Sequence, residues 1–255
     1  MRNTISILGV PIDNITKEEA GKITLQLVKN SNKSCKMIFA PNTEFVMKAQ
    51  KDKEFFDLLK LSSLSTPDSV GIMLGAKLQG KKFVERIPGQ AYFREILRVG
   101  EKENLTFYLL GGMPGIAEKA KENLKKIYPN IKIIGVHDGY IEGEEEKKVI
   151  EEINTLKPNV LFVAMGAPKQ EKWIYKHKEE LKVDVAAGQG GTFDYEAGRI
   201  KRAPKFIQKM GIEWIWRLIR QPKRIIRMSV LPVYVIKLLL KKDITKGKFD
   251  VERET

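Results

Sequence analysis

LTFYLLGGMPGIAEKAKENLKKIYP (105–129) decides the fold. It opens with a continuous β-favouring apolar run, turns through GGMPG (111–115), and continues as a lysine-rich amphipathic helix. A strand that is apolar along its whole length has to be covered on both faces, the mark of a parallel sheet. The unit then recurs. IKIIGVHDGY (131–140) is followed by EEEKKVIEEINTLKP (144–158). NVLFVAMG (159–166) is followed by KQEKWIYKHKEELK (169–182), and VDVAAGQGG (183–191) closes the series. Strand and helix in regular alternation predict βαβ units, and so an α/β fold with helices on both faces of a parallel sheet.

Upstream the pattern is looser. TISILGVPI (4–12) reads as a strand and KEEAGKITLQLVKN (17–30) as a helix. KMIFAPN (36–42) is a strand ending in a Pro-Asn turn. TEFVMKAQKDKEFFDLLKL (43–61) keeps mostly three-to-four spacing throughout and predicts one helix. SSLSTPDS (62–69) is turn-like, and residues 70–80 and 89–103 are helical.

The 255 residues carry 42% hydrophobic side chains, enough for a sizeable core, and a formal net charge of +14. That charge is local. Residues 199–248 hold fifteen Lys and Arg against two acids, Glu213 and Asp243. An end so basic predicts an anionic partner: a membrane surface, a nucleic acid or a phosphorylated substrate. Cys35 is the sole cysteine, so an intrachain disulfide framework and a cysteine-based zinc site are excluded, in keeping with a reducing cytosol. MRNTISILGV (1–10) lacks the pattern of a secretory signal. The most apolar tract, MSVLPVYVIKLLL (228–240), is interrupted by Pro232 and Lys237, and falls short of the roughly 20 residues a spanning helix needs.

The Gly- and Pro-bearing turns fall where strands should end, at 40–42, 111–115, 137–140, 166–171 and 188–194. In an open α/β sheet these turns gather on one edge, where ligands bind. Several carry candidate chemistry. Asp68 of STPDSVG (65–71) is either the N-cap of the next helix or a carboxylate at the ligand edge able to act as a base. Arg86 of KFVERIPGQ (82–90) is either a solvated loop cation or a partner for diphosphate. In GAPKQEKW (166–173) a helix start explains Pro168 and Glu171. It does not explain Lys169, a cation at the positive end of a helix unless an anion sits there. GQGGTFDYEAGRIKRAP (188–204) offers close backbone approach to a ligand, or a tight turn. His137 and Asp138 are adjacent on a strand and point to opposite faces, which argues against a dyad. No Gly-x-Ser-x-Gly elbow, His/Cys cluster or Asp-x-Asp pair appears. A nucleotide-diphosphate leaving group would then rely on Arg, Lys and helix ends.

Taken in order, APNTE, TPDSVG, ERIPG, YLLGGMPG, HDGY, FVAMGAPKQEKW, GGTFDYEAGRIKRAP and WIWRLIRQPKRIIR resemble the WecG/TagA/CpsF family of glycosyltransferases over about residues 5–235. GAPKQE and AGRIKRAP are the specific motifs. The resemblance implies a Rossmann-like core, residues 1–198, and a basic amphipathic helical C-terminal appendage, residues 199–255. It implies no cofactor and a metal-independent, inverting transfer from a UDP-sugar donor to a polyprenyl-diphosphate-linked sugar. For the most similar branch that means N-acetylmannosamine passing from UDP-N-acetylmannosamine to the 4-hydroxyl of undecaprenyl-diphosphate N-acetylglucosamine, in wall teichoic acid synthesis.

Carried over by motif, Asp68 is the general base, while Arg86 and Gln170 contact substrate. Asn42 lines the same edge, and Tyr140 and Asp194 flank the nucleotide. Arg217, Arg224 and Arg227 meet diphosphate. Two departures stand out: Ala40 occupies a position where the family commonly has Thr, and Ser69 stands where PDG is usual. The first leaves UDP-N-acetylmannosaminuronate and UDP-glucose open as donors. The second requires the turn to be made without Gly.

The interleaving of Trp214, Ile215, Trp216, Leu218 and Ile219 with arginines fits an amphipathic segment lying in a membrane interface, with residues 199–248 as the membrane contact. Together with the lipid-linked acceptor, the resemblance implies a cytoplasmic protein, peripheral on the inner face of the cell membrane. The interleaving fits a nucleic-acid face less well, and no recognised nucleic-acid motif appears. A non-enzymatic scaffold would need neither Asp68 nor donor binding. Homo-oligomerisation is left open.

Overall fold

The computed structural model describes residues 2–32, 34–200 and 230–240. Its centre is a six-stranded, all-parallel sheet of β3 (Lys36–Phe39), β4 (Leu64–Ser65), β5 (Thr106–Gly111), β6 (Lys132–His137), β7 (Val160–Ala164) and β8 (Val185–Gly188), in the order β4-β3-β8-β7-β5-β6. Alternate residues feed two buried layers, as strand geometry demands. Tyr108, Leu110, Leu161 and Val163 enter one layer, and Phe107, Leu109, Val160 and Phe162 the other.

The first layer is covered by α2 (Thr43–Ala49), α3 (Lys53–Lys60), α4 (Val70–Leu78), α7 (Glu144–Leu156) and α8 (Lys169–His177). The second is covered by α1 (Lys17–Lys29), α5 (Gly89–Lys102), α6 (Ile116–Ile127) and the short α9 (Thr192–Glu196). Each large apolar side chain these helices bury contributes on the order of 1.5–3 kcal/mol. The expected α/β class and the helices on both faces are borne out.

Three details differ from the sequence reading. Residues 4–12 are not one strand but a hairpin, β1 (Thr4–Ile7) and β2 (Val10–Asp13), in a sheet of its own. Its turn is Leu8-Gly9, both at positive φ (49° and 90°), a geometry that the glycine tolerates and that reverses the chain in two residues. The helix expected over 43–61 is two helices. Asp52 accepts the Phe55 N–H at 3.0 Å and starts α3 afresh, so a cap prevails over continuing periodicity. Ser69, not Asp68, is the N-cap of α4, accepting the Ile72 N–H at 3.3 Å. Ser69 is extended (φ −112°, ψ 157°), which is why this turn needs no glycine.

A further helix, α10 (Val230–Leu240), lies within the region expected to be appendage, yet it packs on α2 and α4. Tyr234 is 1% exposed and donates its hydroxyl to Gly71 O at 2.9 Å. A Cβ on Gly75 would lie 2.3 Å from that hydroxyl, so the bare backbone of Gly75 makes room for the ring. The expected basic helical segment over 201–229, with Arg217, Arg224 and Arg227, and the stretch 241–255 lie outside the described residues.

Candidate active site

The strand order places the site. β5 runs through α6 on one face to β6 at the sheet's end, while β7 runs through α8 on the other face to β8 on the opposite side. The adjacent strands β5 and β7 thus diverge at their C-terminal ends and leave a crevice. A cleft of about 350 Å³ opens there, lined by Gly112 and Met113 after β5, Tyr140 after β6, Gly166 and Lys169 after β7, and Gly190, Asp194 and Arg199 after β8. Its floor is backbone. The Gly112 N–H is bonded to Ala164 O at 2.9 Å, and a Cβ on neighbouring Gly111 would lie 2.5 Å from the same oxygen.

Lys169 is exposed and is the first residue of α8, whose start has no side-chain cap. An ammonium group and the positive end of a helix therefore face the cleft together, an arrangement that favours a bound anion. Tyr140 is 68% exposed and projects from a turn in which its N–H is held by Asp138 Oδ1 at 2.8 Å. Its ring is a free apolar face at the cleft rim. Asp194 accepts from Arg199 at 2.9 Å. Behind it, buried Glu196 anchors α9, receiving Arg94 at 3.0 and 2.9 Å and Gln90 at 2.8 Å. That fully paired carboxylate fixes the helix on which Asp194 is mounted.

The other sequence-derived candidates fall beyond β8, towards β3 and β4. Asp68 is half-buried just past β4, and its Oδ1 accepts the N–H of Gly89, first residue of α5, at 3.0 Å. The carboxylate thus complements the positive end of α5. Asn42 Oδ1 caps α2 through the Phe45 N–H at 3.0 Å. Thr43 and Ser69 hydroxyls meet at 3.1 Å and tie the β3 turn to the β4 turn. Arg86 is half-buried and makes no hydrogen bond or ion pair with the described residues. Ala40 lies beside the Asp68–Gly89 bond; a Cβ on Gly89 would be 3.6 Å from the Ala40 methyl.

Gln170 sits behind the cleft. It is 2% exposed, and its Oε1 accepts from Gly166 N–H at 3.1 Å and Gly190 N–H at 2.8 Å. The side chain joins the β7 and β8 turns that wall the cleft. The peptide Ala167–Pro168 between those walls is cis, and Lys48 donates to Ala167 O at 2.8 Å. Among the described residues, no group of three His, Cys, Asp or Glu side chains is arranged to hold a metal ion.

The family model described as "Glycosyl transferase WecG/TagA/CpsF family" matches residues 5–248. The chain belongs to the WecG/TagA/CpsF family of glycosyltransferases. Among curated relatives of this family member, a protein of Staphylococcus aureus (strain MW2) is 34% identical over 252 residues, 96% of each chain. One of Bacillus subtilis (strain 168) is 34% identical over 203 residues, 80% of this chain and 78% of the relative. Both bear the name N-acetylglucosaminyldiphosphoundecaprenol N-acetyl-beta-D-mannosaminyltransferase. As a WecG/TagA/CpsF glycosyltransferase, the chain places its specific motif GAPKQE along the wall of the switch-point cleft. Lys169, Met113, Gly190 and Arg199 line that cleft without having been assigned from sequence. Of these, Lys169 gave the sharpest signal, a cation where helix electrostatics disfavour one, while Met113 and Gly190 were marked only through the glycine-bearing turns that hold them.

Proposed function

We propose that this glycosyltransferase moves N-acetylmannosamine from UDP-N-acetylmannosamine to the 4-hydroxyl of undecaprenyl-diphosphate N-acetylglucosamine, building the linkage unit of wall teichoic acid. The relatives' shared name supports the sugar and the acceptor. The observation that carries the reading is one sheet edge holding both a Gly-walled cleft with Lys169 at a helix start and, two strands beyond β8, the carboxylate of Asp68. In this reading the donor nucleotide lies in the cleft, its base against Tyr140 and its diphosphate towards Lys169 and the α8 N-terminus. Asp68 takes the proton of the acceptor hydroxyl. The acceptor oxygen bonds to the anomeric carbon as the bond to the UDP oxygen breaks, and UDP leaves with the electron pair. A single displacement inverts the anomeric centre. Helix ends, Lys169, Arg86, and Arg217, Arg224 and Arg227 are the stabilisers of the diphosphates, and the reaction is metal-independent.

Residues 199–248 would bring the enzyme to its lipid-linked acceptor at the inner membrane face. Among the described residues no helix is long and apolar enough to cross a membrane. The outer side of α10 exposes Val233, Ile236, Leu239 and Leu240, apolar surface suited to the interface. The deciding assay supplies UDP-N-acetylmannosamine and a lipid-diphosphate N-acetylglucosamine, and reads product mass and anomeric configuration. A β-linked disaccharide lipid is expected; no product from this pair rejects the reading. Ala40 supports a second reading, the same site with another donor, because its methyl group brings no hydroxyl to the Asp68 corner. Competition among UDP-sugars separates the two.

A further inference from the structure

Glu171 is 0% exposed and has no part in the mechanism above. It directly follows Gln170, whose Nε2 donates to Glu171 Oε1. Both side chains press on Gly188 at the end of β8, where a Cβ would lie 2.7 Å from Gln170 Nε2 and 2.8 Å from Glu171 Oε1. Glu171 Oε2 has no hydrogen-bond partner among the described residues. Burying an acid with one oxygen unpaired is costly, and an apolar residue of similar size would serve plain packing better.

Gln170 supplies the reason for the carboxyl. A carboxamide has an acceptor end and a donor end. The acceptor end is held by the N–H groups of Gly166 and Gly190, both of which line the cleft. Were the amide turned over, its NH₂ would face two N–H donors, and the bridge between the two turns would be lost. An acceptor against the NH₂ end prevents that. We propose that Glu171 is a positioning residue of the donor site: by accepting from Gln170 it fixes the direction of the carboxamide, and through it the spacing of the Gly166 and Gly190 turns around the donor diphosphate. The proposal rests on the reading of the cleft as the donor site. Burial pushes the Glu171 carboxyl up to about 7, opposed by the Gln170 hydrogen bond and by Lys48. Protonation at Oε2 leaves Oε1 an acceptor, so the lock does not require the charge.

The test compares full-length Glu171→Gln, Glu171→Leu and Gln170→Leu. UDP affinity is read by calorimetry, unfolding midpoint by melting, and amide exchange at Gly166 and Gly190 by NMR. Glu171→Gln keeps an acceptor oxygen and should bind UDP like the wild type. Glu171→Leu should weaken UDP about tenfold, the scale of one lost oriented hydrogen bond. Its melting point should hold or rise, while exchange quickens at the two glycines. Gln170→Leu should reproduce the weaker UDP binding and the quicker glycine exchange, but with a lower melting point, since it strips two N–H groups and Glu171 of their partner. The double variant should add nothing to the loss of affinity, because both act through one bridge. Wild-type UDP affinity and unchanged glycine exchange in Glu171→Leu would overturn the proposal, as would additive losses in the double variant. Should Glu171→Leu melt early, the double-variant comparison and glycine exchange in Gln170→Leu still decide. If the wild type itself fails to bind UDP, the donor reading fails, while the exchange data still judge the lock.

Discussion

Asp68 is the side chain on which a structural role and the proposed chemistry meet. One of its oxygens accepts from the Gly89 N–H at the start of α5, and the proposed mechanism assigns the same carboxylate the acceptor's proton. Asp68→Asn keeps an oxygen for Gly89 but removes the base. It should fold normally and lose turnover by ~10²–10⁴ in the transfer assay; wild-type turnover would remove Asp68 from the mechanism. Lys169→Gln removes the ammonium from the start of α8 without shortening the side chain much. The KM for donor should rise about tenfold or more, the scale of a hydrogen bond to a charged group, while the melting point is steady or higher because a cation has left the positive helix end. Glu171 predicts a pH dependence of stability. Its folded carboxyl titrates at about 7 against an ordinary value of 4.5, so the folded state binds the proton more tightly. Stability is then greatest below pH 4.5 for this group, falls as pH rises to about 7, and is level above, a loss on the order of 3 kcal/mol. In Glu171→Gln that fall should vanish from melts taken across the range. At this scale the sequence showed the residue types and the edge they share, but not their partners. Gln170 and Ser69 found theirs in distant turns, contacts no local spacing encodes.

The elements were legible wherever hydrophobic pattern and turn chemistry agreed, as in β5-α6, β6-α7 and β7-α8; the short α9, inside a stretch read as a turn, was not. They were misread where a local cap cut an unbroken pattern. Asp52 is the clearest case: it caps α3 and also pairs with Lys172 of α8 at 2.9 Å. Asp52→Ala should cost about 1 kcal/mol, mainly through the lost cap, measurable by denaturant unfolding. The seat of α10 gives a test of opposite sign to ordinary helix rules. Gly→Ala inside a helix usually gains about 1 kcal/mol. Gly75→Ala should instead destabilise, because its methyl group falls on the Tyr234 hydroxyl. Adding Tyr234→Ala should reverse the sign of the Gly75→Ala effect.

For the whole molecule, alternation of strand and helix revealed the sheet, but not the order β4-β3-β8-β7-β5-β6, because crossover choices leave no periodic trace. That order is what sets Asp68 and the cleft at different stations of one edge. Two outcomes belong to this scale. Transfer should persist in excess EDTA; loss restored by one divalent metal would contradict a metal-independent mechanism. Binding to anionic vesicles should fall steeply with salt, and should weaken in a Gln variant of Arg217, Arg224 and Arg227, as expected at about 1 kcal/mol per well-placed cation. The seat of Tyr234 also has a consequence for how the protein comes into being. Its ring fills a recess on a helix made 163 residues earlier. At translation speeds of roughly 5–20 residues per second, that recess stands empty for about ten seconds or more on every new chain. The sheet's first half therefore leaves the ribosome with an unfilled apolar notch, and it is the last described helix to be synthesised that closes it.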